Sequence, residues 1–217
     1  MLKEQIESSF YITFPKKANT TVNIVEKEYQ GSFSLCDSKA CEKCPLCKND
    51  ESERVNIIIS SKEASSLISV GEVASFVQGG IGKNCDYLLA NNKTVLFIEM
   101  TCSTSENVDG YNYGKRMTAQ SQLLNTIHVF SANPNLREFM FRKGKRYAIF
   151  SWKDTSKPKD VKDKVEMGFE SFTQMAEDVY SKDNIQYLTK EFIFKEIRYP
   201  EVLEIEKLQE NGQKSVC

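Results

Sequence analysis

Strand-like and helix-like hydrophobic periods follow one another along the chain. In TTVNIVEKEYQGSFSL (Thr20 to Leu35) apolar and polar positions alternate, and Gln30-Gly31 interrupts them, which predicts two short strands joined as a hairpin. RVNIIIS (Arg54 to Ser60) is a β-branched run of strand type. KEASSLISVGEVASFV then places Ala64, Leu67, Ile68, Val73, Phe76 and Val77 near helical spacing. With Ser60 or Ser61 as cap, this predicts a helix that Gly71 divides into two. Gly79, Gly80 and Gly82 break the chain before NCDYLLA and KTVLFIEMTC, two apolar runs joined by Asn91-Asn92 and expected to form a hairpin.

From Lys115 to Phe130 the residues Met117, Leu123, Leu124, Ile127 and Phe130 share one side, as in a helix packed on a sheet. Asn133-Pro134-Asn135 reads as its end. LREFMFR and RYAIFSW read as strands around Lys143-Gly144-Lys145, and KDTSKPKDVKDK as a solvated loop. FESFTQMAEDVY has an amphipathic helical pattern, QYLTKEFIFKEIRY alternates as an extended segment, and the tail from Glu206 is expected to fray.

Composition narrows the class. A chain of 217 residues, 40% apolar and 27% charged, can bury a large core, so a single globular α/β (α+β) domain over 1–217 is expected. Lys and Arg total 29 against 30 for Asp and Glu, which leaves no global positive field; any nucleic-acid contact must be local. No apolar stretch approaches the roughly 20 residues that span a bilayer, and MLKEQIESSFYITF lacks the layout of a secretory signal, so no membrane partner and a cytoplasmic location are expected. Seven cysteines, four of them within twelve positions, fit thiols or metal ligands in a reducing compartment better than a disulfide framework.

The chemistry centres on the Asn91-Asn92 hairpin. Asp86 and Glu99 each interrupt an apolar strand and can lie nearly opposite one another. Burying two like charges together costs several kcal/mol unless they are neutralised, and Mg²⁺ or Mn²⁺ does so with oxygen ligands. Such an ion lowers the pKa of a bound water and stabilises charge on a phosphoryl group. The alternative is that each acid sits in water or pairs with a lysine.

The order of a glycine-rich loop, CDYLL, a turn, FIE-x-T and the helix KRMTAQSQLLNTI resembles the core of the PD-(D/E)xK nuclease superfamily, over roughly Glu72 to Trp152. The resemblance implies a restriction-endonuclease-like fold, with a central mixed sheet flanked by helices. It implies Asp86 and Glu99 as metal ligands, Glu72 as a third acid, and Gln122 facing the site. It also implies action on DNA or RNA phosphodiesters, in nucleic-acid processing or bacterial antiviral defence. Thr101 stands where that family carries a lysine that activates water and balances charge; Lys83 or Lys115 can supply a displaced ammonium. A catalytically silent interaction subunit, with a protein partner or a second copy, is the reading that Thr101 favours.

Cys36, Cys41, Cys44 and Cys47 form C-x4-C-x2-C-x2-C, and CPLC resembles a knuckle that wraps Zn²⁺ with two thiolates. Segment 36–47 is therefore expected to be a metal loop inserted between strands, ordered by the ion. The C-x2-C-x2-C portion also has iron–sulfur spacing, and unmetallated thiols are the third possibility. Cys85 and Cys102 read as small buried side chains, and His128 as a solvent-facing residue late in a helix. Gly79-Gly80-Ile81-Gly82-Lys83 lacks phosphate-loop spacing and reads as a flexible entry to the site. Arg142, Lys143, Lys145 and Arg146 make a local basic patch near Phe141 and Tyr147, suited to phosphate or to solvent.

Overall fold

The computed structural model of this chain describes residues 2–36, 55–110, 114–155, 180–182 and 185–211. An N-terminal helical segment, α1 (Leu2–Gln5), a π-helical turn (Ile6–Phe10) and α2 (Tyr11–Thr13), precedes β1 (Glu26–Leu35) and β2 (Ile57–Ser69). Then come α3 (Val70–Ser75), the hairpin β3 (Tyr87–Ala90) and β4 (Thr94–Ser103), α4 (Ser105–Asp109), α5 (Lys115–Ser131) and α6 (Pro134–Phe141). The chain continues through β5 (Lys145–Asp154), β6 (Tyr180–Lys182), β7 (Ile185–Tyr187), β8 (Ile193–Arg198) and β9 (Val202–Glu204). Among the described residues the strands form one sheet in the order β1-β2-β3-β4-β5-β8-β7-β6, with β9 on β2.

The sheet is mixed. β4, β5 and β8 run parallel, as do β2 and β9, while the outer pairs and the β3–β4 hairpin are antiparallel. Every residue of β4 from Thr94 to Met100 is buried, as a parallel strand covered on both faces requires. On one face Val95, Phe97 and Phe150 meet Leu123 and Phe130 of α5, with the Phe97 ring 5.6 Å from both Phe130 and Phe192. On the other, Leu96, Ile98 and Ile149 meet Ile57, Ile59 and Leu203, because the start of β2 pairs with β9 and not with β3. The buried Asn133 joins α6 to the N-terminal segment: its Oδ1 caps Asn135 and Leu136 N–H, and its Nδ2 donates to Ser9 O at 2.8 Å. Among the described residues no helix is long and apolar enough to cross a membrane.

The β3–β4 hairpin, α5, β5 and the extended character of β7 and β8 agree with the periodicity. Elsewhere the structure differs. Thr20 to Leu35 contributes one strand, and Gly31, at φ 82°, sits at a register shift against β2 instead of in a hairpin turn. KEASSLIS is strand, and only Val70–Ser75 is helical, capped by Ser69 and not by Ser60 or Ser61. At the irregular step the Ser61 and Ser65 hydroxyls donate to Glu63 O, at 2.7 and 3.2 Å, and so satisfy a backbone that leaves the ladder. LREFMFR is helical, because Asn133 and Pro134 start a helix there. Met117 is exposed, since the buried stripe of α5 runs through Ala119, Leu123, Thr126, Ile127 and Phe130. The tail expected to fray from Glu206 is held as far as Asn211, which accepts from Arg146 N–H at 2.6 Å and donates to Glu191 O at 2.8 Å; the rest of it lies outside the described residues. The helix expected in FESFTQMAEDVY lies outside the described residues, its final Tyr180 excepted, and there the backbone is strand.

Tyr147 yields a pH test. It is 4% exposed, its hydroxyl donates to Gln209 O at 3.1 Å, and burial pushes its pKa from 10.0 up to about 12. The neutral phenol therefore contributes stability that is complete below pH 10 and is lost as pH rises through 12. In urea titrations the advantage of the native chain over Tyr147→Phe should shrink by about 2 kcal/mol across that interval; a constant difference would refute it.

Candidate functional site

The loop before β3 is built by α5. Gly79, Gly80 and Gly82 have φ of 80°, 74° and 78°, conformations that cost other residues strain, and they carry the chain from α3 back to the sheet. Three α5 side chains then hold it. Asn125 Nδ2 donates to Ile81 O and Lys83 O at 2.9 and 2.7 Å, and Gln122 Nε2 donates to Asn84 O at 3.0 Å. The buried Thr126 hydroxyl accepts Cys85 N–H at 2.9 Å while donating to Gln122 O at 2.8 Å. Gln122 thus acts on the site through the loop it positions. The entry read as flexible is pinned from Ile81 to Cys85.

Asp86, the next residue, is fixed at three atoms. Its carbonyl accepts Val70 N–H at 2.9 Å, its N–H donates to Ile98 O at 3.0 Å, and its Oδ2 accepts Met100 N–H at 2.8 Å. It is therefore bonded to the residues on either side of Glu99. The register Tyr87↔Ile98 sets Asp86, just before β3, across from Glu99 of β4, and Glu99 shares its side of β4 with Val95 and Phe97, toward α5. The fully buried Cys85 thiol reports the same convergence: burial raises its pKa well above the ordinary value, and the charges of Glu99 and Asp86 raise it further. Cys85 is thus a protonated, packed side chain. Cys102 accepts from Asn56 Nδ2 at 3.1 Å, and His128 is exposed.

Asp86, Lys83, Asn84, Gln122, Tyr87 and Cys36 line a cleft of about 610 Å³. Glu99 is 9% exposed and lies behind Asp86, which is the acid on the cleft wall. Lys83 is an exposed cation on the cleft wall, whereas Lys115 is exposed at the start of α5 and is not part of that wall. Thr101 is half-buried opposite Trp152. Glu72, expected as a third acid, is not among the residues that line the cleft; its Oε1 accepts Val25 N–H at 3.2 Å. Cys36, the residue after β1, is on the cleft wall, and Cys41, Cys44 and Cys47 lie outside the described residues. Among the described residues no group of three or more His, Cys, Asp or Glu is placed to hold a metal ion. Two carboxylates suffice for Mg²⁺, which keeps several waters and fills its shell with substrate phosphate, and the hard oxygen donors of Asp86 and Glu99 fit it.

Sequence reasoning missed an ion-pair network on the same side of the sheet. The register runs Glu99↔Phe150↔Glu196 across β4, β5 and β8. Arg116, in the first turn of α5, donates Nε and Nη2 to the two Glu196 oxygens at 2.6 and 2.9 Å and pairs through Nη1 with Asp109. Trp152 Nε1 adds a bond to Glu196 at 2.8 Å. Burial opposes the charge on Arg116, but its two carboxylates outweigh that and hold the guanidinium pKa above its usual value. The pairing joins residues 80 positions apart, and no local pattern announces it.

No family model matches the chain, and neither a curated protein nor a solved structure matches it.

Two substitutions test this framework by urea unfolding. Arg116→Met leaves Glu196 and Asp109 half-buried without their cation and should cost about 2–3 kcal/mol; a loss under about 0.5 kcal/mol would reduce the network to a surface pair. Thr126→Val keeps the volume but removes the acceptor of buried Cys85 N–H, and should cost about 1–3 kcal/mol. An unchanged midpoint would show that the loop does not depend on α5.

Proposed function

We propose that the chain is a metal-dependent phosphodiesterase acting on DNA or RNA, in nucleic-acid processing or bacterial defence within the cytoplasm. The observation that carries the reading is the pair of hydrogen bonds from Asp86 to the two neighbours of Glu99, which sets Asp86, on the wall of an open cleft, beside a second acid on β4. Asp86 and Glu99 would hold Mg²⁺ or Mn²⁺. When bound, such an ion supplies Lewis-acid stabilisation of charge on a phosphoryl oxygen. Lys83 is the cation available to substrate phosphate, because Arg116 is committed to its two carboxylates. Gln122 keeps the Lys83–Asp86 loop in place, and Thr101 leaves proton transfer to water or to Lys83. Cys36, Cys41, Cys44 and Cys47 would bind structural Zn²⁺, with an iron–sulfur cluster as the alternative.

A second reading, a catalytically silent subunit that docks a protein partner or a second copy, is favoured by two features. Thr101 carries no charge, and one Asp86 oxygen already serves the sheet by accepting Met100 N–H.

Purified full-length chain should cleave labelled single- or double-stranded DNA or RNA when Mg²⁺ or Mn²⁺ is added. Asp86→Asn and Glu99→Gln should lower the rate at least about 100-fold and abolish Mn²⁺ binding in calorimetry. Asp86→Asn keeps an oxygen for Met100 N–H, so its unfolding midpoint should hold. Metal analysis should find zinc; iron would indicate the cluster. Absence of cleavage of all four substrates together with absence of Mn²⁺ binding would sink the enzyme reading and leave the docking subunit.

A further inference from the structure

A second polar pocket lies at the other end of the parallel strands, and it does not depend on Asp86 or Glu99. Asn92 precedes β4 and Lys143 precedes β5, whereas Thr101 lies near the end of β4. The seven residue-to-residue steps from Thr94 to Thr101 separate the two regions by about 23 Å. Between Arg137 and Arg146 the chain carries five cations, Arg137, Arg142, Lys143, Lys145 and Arg146, against one acid, Glu138. Glu138 is taken by Arg142 in an i,i+4 pair. Lys145 Nζ donates to Ile205 O and Glu206 O at 3.1 and 2.9 Å, and Arg146 donates to Glu191 O at 2.9 Å and to Phe141 O at 3.2 Å. Carbonyl partners satisfy these donors without cancelling their charge.

Lys143 stands out within the group. Its Nζ lies 4.6 Å from the centre of the Phe139 ring and donates one long bond, 3.3 Å, to Asn92 O. Among the described residues no carboxylate pairs with it. Burial lowers its pKa, the signature of an ammonium drawn out of water without a counter-ion. It borders a pocket of about 500 Å³, within the range that holds small organic ligands, lined also by Phe139, Asn92, Asn135, Gln5 and the Arg142–Glu138 ion pair, in which the arginine neutralises the carboxylate. An uncompensated cation calls for an anion. An aromatic ring and three carboxamides around the same space suit a flat heterocycle with donors and acceptors on its edge.

We infer that this pocket binds a nucleotide, its phosphate on Lys143 and its base against Phe139, with Asn92, Asn135 and Gln5 available to the base edge. The nucleotide can be a free mononucleotide or one residue of a single strand; both present the same chemistry to these side chains.

The full chain would be titrated with inorganic phosphate, AMP and a short fluorescein-labelled oligothymidylate, by calorimetry and anisotropy in the absence of divalent metal. Lys143→Met should weaken all the probes that bind by about tenfold, and Phe139→Leu should weaken the nucleotide probes by a similar factor while leaving phosphate unchanged. Lys143→Arg should retain binding, and Lys27→Met, on exposed β1, should bind as the native chain does. AMP binding assigns the free ligand; oligothymidylate binding alone assigns the strand. The inference is overturned if AMP and oligothymidylate bind no tighter than phosphate, or if their affinities survive both Lys143→Met and Phe139→Leu. Melting curves on each variant separate lost binding from lost fold.

Discussion

Strand β4 is covered on both faces from Thr94 to Met100, and a strand so enclosed can carry a carboxylate only if its surroundings are arranged for it. Glu99 is that carboxylate. The hairpin turn, closed by Asn91 Oδ1 accepting Lys93 and Thr94 N–H, sets the register that brings Asp86 alongside it. Helix α5 covers the face on which Glu99 lies and shapes the loop that leads into Asp86. The mixed sheet, the crossover helices and the glycine loop all meet at this one enclosed strand.

The parts of this arrangement that local pattern decides were legible in the sequence. Asn91-Asn92 between two apolar runs marks a turn, and the interruption of those runs by Asp86 and Glu99 shows that the turn sets the two acids side by side. What was not legible depends on distant partners. The spacing of Ala64, Leu67 and Ile68 satisfies a helix and an irregular strand alike. Pairing with β1 and β3 decides between them, aided by serines that satisfy the backbone where the ladder slips. Asn133-Pro134 can end one helix or begin the next, and here it begins one, because the Asn133 amide also reaches Ser9 in the N-terminal segment.

The same division holds within the site. Glu72 was correctly placed on a helix before the hairpin, but Val25 N–H sets its orientation, and no pattern within α3 encodes that. Arg116 was hidden for the same reason: its role comes from Glu196, brought near by the parallel pairing of β4, β5 and β8. Thr101 on β4 and Glu196 on β8, the partner of Arg116, belong to one sheet, yet to different stretches of sequence.

Gln122, Asn125 and Thr126 occupy successive positions along one side of α5, and all three grip the backbone between Ile81 and Cys85. Loop and helix consequently behave as a single lever. Just beyond the end of α5 the Asn133 amide donates to Ser9 O, so the helix that shapes the cleft loop is tied at its far end to the opening turns of the chain.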